Sequence, residues 1–124
     1  MQIMVNEDWL LETLYHANRN DNDTYRVFLT LRRYIYDTRD FTGILEQITP
    51  DSLRIKPTTD LADDCLFSVC MFSPYISRRR QRRGAPGRRF YNRVGRSAFI
   101  GIGFPGIARN WDNWVSYVQE HVVI

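Results

Sequence analysis

The chain has one lysine, Lys56, against sixteen arginines, and no aspartate or glutamate from residue 65 to residue 111. Solubility alone would be served by either basic residue. The imbalance therefore points to contacts that need the planar guanidinium fork, or to a compositional habit of the source genome. No stretch of about 18 apolar residues occurs, which argues against a membrane-spanning helix, and no charged segment leads into an apolar run as in a secretory leader. The expectation is an intracellular, cytoplasmic protein, or a nuclear one in a eukaryotic setting.

Catalytic signatures are also missing. Cys65 and Cys70 are the two cysteines; their spacing lacks two further ligands and a flanking base, so they read as buried free thiols. His16 and His121 lie near opposite ends of the chain, each where a helix C-terminus would favour its charge. There is no G-x-S-x-G, no Walker lysine and no carboxylate pair in an apolar frame, so no enzyme activity, metal or cofactor is expected. Asp60, Asp63 and Asp64 could hold magnesium in a small nuclease, but acidic residues opening a helix explain them more simply.

What is present is an uneven charge layout. Residues 1–64 carry 7 basic and 12 acidic residues, and residues 65–124 carry 10 and 2, so the halves stand at −5 and +8. Nine arginines fall within nineteen residues: Arg78, Arg79, Arg80, Arg82, Arg83, Arg88, Arg89, Arg93 and Arg96. Such self-repulsion is tolerated most easily against an anionic partner, because fields die away over about 8 Å at physiological ionic strength.

At 124 residues and 44% hydrophobic, the chain reads as one domain able to bury about two thirds of its unfolded surface. The expected fold is mainly α, with a long arginine-rich arm and at most a short β-strand or hairpin. Residues 1–76 form a helical acidic half, residues 77–96 the arm, and residues 97–124 a short strand, a glycine turn and a C-terminal helix. Asn6 caps a first helix bearing Leu10, Leu11, Leu14 and Ala17 on one face, ended by Asn18-Arg19-Asn20. Asn22 or Asp23 caps a second, with Tyr25, Phe28, Leu31 and Ile35 inward and Arg26, Thr30, Arg33 and Asp37 on the wet side. A third covers Phe41 to Ile48, Thr49-Pro50 starts another turn, and residues 54–59 are loop. From Asp60 the apolar spacing gives a helix, with a strand over Leu66 to Phe72 as the rival, and Pro74 ends either one. Gly84-Ala85-Pro86-Gly87 makes a flexible tip between two basic arms, Ser97 to Ile102 a strand, and Trp111, Trp114, Val115, Val118 and Val122 the inner face of a helix capped by Asn110. Of Tyr25, Tyr34, Tyr36, Trp111 and Trp114, most are expected in the core.

Ser77-Arg-Arg-Arg-Gln-Arg-Arg83 resembles the arginine-rich motif of viral and phage RNA-binding peptides, over these seven residues. The resemblance implies arginines gripping phosphates, with one or two reading a base edge. Phe90 and Tyr91 follow, and aromatic planes among arginines can stack unpaired bases, which favours RNA over duplex DNA. The expected function is therefore non-enzymatic nucleic-acid binding through these eleven residues. The alternative is an interaction or assembly factor, or an inhibitor, whose basic arm docks on an acidic protein surface. Gly101-Ile-Gly-Phe-Pro-Gly106 matches G-x-G-x-x-G, but eighteen residues remain after it and none beyond Glu120 is acidic. It reads as a tight turn rather than a dinucleotide site.

Overall fold

The computed structural model describes residues 6–17, 20–53, 56–83 and 87–122. They are mainly helical and contain no strand: α1 (Glu7–Tyr15), α2 (Asp21–Ile35), α3 (Phe41–Glu46), a 3-10 turn (Pro50–Leu53), α4 (Thr59–Arg83), α5 (Arg88–Gly101), α6 (Pro105–Arg109) and α7 (Trp111–His121). None of these helices is long and apolar enough to cross a membrane.

Local sequence explains most of the boundaries. Asn6 Oδ1 accepts the Trp9 amide at 3.0 Å, and Asp40 does the same for Gly43 at 2.8 Å. The α2 cap is Asn20 rather than Asn22 or Asp23, because its Oδ1 reaches both of their amides, at 2.9 and 3.2 Å. Such a cap satisfies amides that the helix itself leaves unpaired. Thr58 caps α4 through the Leu61 amide. Asn18 and Arg19 lie outside the described residues, as do residues 54–55 at the start of the expected loop.

α4 is the central element: every residue from Leu61 to Cys70 is buried. A helix enclosed on all sides loses its apolar periodicity, which is why a strand over Leu66 to Phe72 was a credible rival. Pro74 does not end it. The ring denies Cys70 C=O its usual helical donor, and Gln119 on α7 supplies Nε2–H instead, at 3.3 Å. Ser73 Oγ donates to Val69 C=O in the same turn. With those carbonyls satisfied, the helix continues to Arg83.

The expected strand Ser97–Ile102 is also helix. Tyr91, Val94, Gly95, Ala98 and Phe99 are buried, and this i, i+3, i+4, i+7, i+8 spacing outweighs the β preference of a short Phe-Ile stretch. Gly95 brings α5 onto the core, since a Cβ there would stand 2.2 Å from Trp111 Cη2. α5 ends in a Schellman motif at Gly103, φ +97°. The Phe104 amide reaches Phe99 C=O at 2.7 Å and the Gly103 amide reaches Ile100 C=O at 3.1 Å, a closure that needs a left-handed residue. The G-x-G-x-x-G stretch is therefore a helix end feeding α6, with no strand before it. Trp111, Trp114, Val115, Val118 and Val122 are buried as expected. Asn110 is the N-cap residue of α7, its C=O accepting the Trp114 amide at 2.9 Å, while its side chain donates to the Gly106 carbonyl at 3.1 Å instead of making a cap bond.

The face of α2 expected to be wet is turned onto α4. Arg26 pairs with Asp63, Arg33 with Asp60 at 2.8 Å and with Asp63 at 3.3 Å, and the Thr30 hydroxyl donates to Asp63 at 2.6 Å. Beside them, Arg39 holds Asp37 at 2.7 Å and Asp64 at 3.0 Å. Asp63 and Asp64 are 2% and 3% exposed, so these two act as countercharge for α2 and its exit, while Asp60 stays exposed in the first turn of α4 as expected of an acid opening a helix. Tyr34 is buried with them, stacked on Phe67 at 3.9 Å, whereas Tyr25 and Tyr36 are exposed. Both cysteines are buried and free, and burial pushes the Cys70 thiol up to about 12.

Tyr34 gives this network a pH signature. Its hydroxyl donates to Asp64, and burial together with that carboxylate raises its pKa far above the ordinary tyrosine range. A raised folded value means that the contribution to stability is complete below the unfolded value, about 10, and is lost as pH rises beyond it. Denaturation monitored between neutral and strongly alkaline pH is expected to show stability declining above that point. The decline should be shallower in Tyr34→Phe; an equal decline would place its origin elsewhere.

Candidate nucleic-acid interface

α4 and α5 form an antiparallel helical hairpin. Cys65, early in α4, lies against Gly95, late in α5, and Arg80, late in α4, lies against Gly87 at the start of α5. The expected arm is therefore the end of a packed hairpin, with Arg78–Arg83 on one helix and Arg88–Arg96 on the other. Short connections give this arrangement whenever consecutive helices carry facing apolar stripes. Gly87 is not part of a loose tip: it is buried and serves as the N-cap of α5. A Cβ there would stand 2.5 Å from Arg80 Cδ, so its lack of a side chain lets the Arg80 stem cross the helix start. Glycine before a helical pattern was the available signal. Gly84, Ala85 and Pro86 lie outside the described residues, as do the side chains of Arg79, Arg82 and Arg83.

Arg80, Arg88, Arg89 and Arg93 surround one concavity of about 490 Å³, with Phe90 and Gly87 completing its wall. All four arginines are exposed, and none forms an ion pair with a described residue. Elsewhere Arg26, Arg32, Arg33, Arg39 and Arg96 each meet a carboxylate. Arg78 is exposed on α4 at the same end of the hairpin.

Two expected members of the site stand apart. Tyr91 is 3% exposed, because its place on α5 falls in the inward stripe with Val94, Ala98 and Phe99. It offers no face to a base and instead supports Phe90, edge to face at 5.5 Å. Arg96 reaches across to Asp112 on α7 at 3.2 Å, a half-exposed pair that holds its guanidinium away from the tip. Phe90, partly buried, remains as the aromatic wall of the concavity. A sequence reading that took 77–96 as an arm had no helical phase by which to separate Phe90 from Tyr91.

No protein-family model matches the chain, and neither a curated protein nor a solved structure is significantly similar to it.

Proposed function

We propose that the protein binds nucleic acid, RNA in preference to DNA, at the α4–α5 hairpin end and catalyses no reaction. One observation carries this reading: four guanidinium groups gather around an aromatic wall without a carboxylate among them, in a chain whose other described arginines are mostly matched to acids. Guanidinium forks bind phosphate oxygens bidentately, and a partly exposed Phe90 offers one plane to an unpaired base, which favours single-stranded or looped RNA. Because the arginines stand on two packed helices, little ordering is needed on binding. Such a role belongs inside a cell.

Fluorescence anisotropy with an RNA hairpin, and with single-stranded and duplex DNA of matched length, tests the reading across a salt series. Four phosphate contacts predict a log–log salt slope of roughly −3. Replacing Arg80, Arg88, Arg89 and Arg93 together by alanine is expected to remove most of that slope, while Phe90→Ala costs about 1–3 kcal/mol on single-stranded probes and little on duplex. Unchanged low-salt affinity in the fourfold variant would refute the proposal.

A second reading has its own observation. Ile100, on the same helix, is 57% exposed, and an apolar anchor beside a basic stripe suits an acidic protein surface with a hydrophobic pocket. For that partner Ile100→Ala weakens a saturable one-to-one complex and Phe90→Ala matters less, the reverse of the pattern expected with RNA.

A further inference from the structure

A second and larger cleft, of about 590 Å³, lies between the first turns of α2 and the turn that joins α5 to α6. Asp23, Tyr25, Arg26, Phe104 and Arg109 line it, together with the two later glycines of the G-x-G-x-x-G stretch, Gly103 and Gly106. Both glycines shape this cleft. A side chain at Gly106 would collide with Asp23, whose Oδ2 would stand 2.2 Å from a Cβ, while at Gly103 the space beside the backbone is open.

The polar groups here are incompletely used. No described residue donates a hydrogen bond to the Asp23 carboxylate, which is partly withdrawn from water; that desolvation raises its pKa, opposed by the charge of Arg109. Arg26 Nε is buried and meets no acceptor among the described residues, although its terminal nitrogen holds Asp63. Arg26 Nε is too enclosed to meet a ligand, so the group left to one is the partly exposed Asp23 carboxylate, which can accept two N–H donors side by side. Tyr25 adds a half-exposed ring, Phe104 an apolar wall, and Arg109 an exposed cation.

We infer that this cleft accepts an unpaired guanine of the bound RNA. The Watson–Crick edge of guanine sets two N–H donors, N1–H and the 2-amino group, side by side, which matches the two oxygens of the Asp23 carboxylate. The base stacks on Tyr25 and its phosphate meets Arg109. Adenine, with one amino group beside a ring acceptor, and uracil, with one N–H between two carbonyls, satisfy the Asp23 carboxylate less well. The volume lies within the range of small-ligand pockets, about 300–1,000 Å³. α5 has 14 residues, so the cleft stands roughly 20 Å from the hairpin end at about 1.5 Å per residue, a distance that several nucleotides of single strand span. The inference rests on the RNA reading, with the hairpin end supplying affinity and the cleft base selectivity.

The test is an amide NMR titration of the full chain with guanosine, adenosine, cytidine and uridine 5′-monophosphates, alongside RNA anisotropy at low salt. Guanosine monophosphate is expected to shift residues 20–29 and 103–109 saturably and to bind at least about tenfold more tightly than the others. Asp23→Asn, which keeps the shape, should abolish that preference while leaving the salt slope for RNA unchanged; Tyr25→Ala should weaken all four nucleotides. Equal shifts by all four, or shifts confined to the hairpin end, would overturn the guanine cleft and leave the hairpin reading standing if RNA still binds. Guanosine binding in the cleft without RNA binding would sustain the cleft and overturn the hairpin reading. Failure of both would overturn both.

Discussion

Asp63→Ala is expected to lower the free energy of unfolding by about 3–5 kcal/mol, the cost of leaving a buried charge without its partner. Asp63 accepts from Arg26, from the Thr30 hydroxyl at 2.6 Å and from Arg33 at 3.3 Å. Arg33 keeps Asp60 after the change, at 2.8 Å. Arg26 keeps no acceptor among the described residues: its side chain is 12% exposed, and its Nε already lacks one. The loss therefore falls on the α2–α4 seam and would be read by urea denaturation with an unchanged m-value. Removing both charges is the informative control. Arg26→Met with Asp63→Leu is expected to recover most of the stability, because a buried pair replaced by packed apolar side chains of similar size is often neutral. A single-variant loss below about 1 kcal/mol would class the pair with ordinary surface ion pairs.

The α5–α7 seam carries the second large effect. Trp111 is fully buried, its Nε1–H donates to Asn92 Oδ1 at 2.8 Å, and its ring edge occupies the space where a Gly95 side chain would be. Trp111→Ala should cost about 3–5 kcal/mol through the cavity it opens. Gly95→Ala should cost about 1–3 kcal/mol for the opposite reason, since a rigid indole cannot yield to a methyl group without moving the helix. The two are coupled. In Gly95→Ala with Trp111→Phe, the smaller ring makes room for the added methyl, and the double variant should be more stable than the sum of the single losses. Strict additivity in thermal unfolding would show that the ring and the glycine do not share that space.

Part of this was legible in the sequence. Asn6 before an apolar repeat, and the Trp111–Trp114–Val115–Val118–Val122 spacing, each describe one element by itself, and both elements formed. The same reasoning failed where another element decided. Pro74 reads as a terminator until Gln119 arrives from α7 to satisfy the Cys70 carbonyl. Arg26 and Arg33 read as solvent-facing until α4 presents Asp60 and Asp63. Asn20 overtook its neighbours as the α2 cap because a cap is fixed by which side chain reaches the free amides, and several residues in that polar turn could.

The candidate site divides in the same way. The density of arginine and the absence of acid over residues 65–111 are written in the chain, and they motivate the proposal of an anionic partner. The fold added phase and pairing. It placed Phe90 on the concavity and Tyr91 in the core, drew Arg96 to Asp112, and crossed Arg80 over Gly87 so that two separate runs of arginine share one surface. The helical class was determined by composition and local spacing, which act through neighbours along the chain, and the proposal of an anionic partner draws on the same composition. Which charges are matched, which aromatic rings are free and which glycines permit close approach were decided by the tertiary structure, because each depends on a residue distant in sequence that only packing brings near.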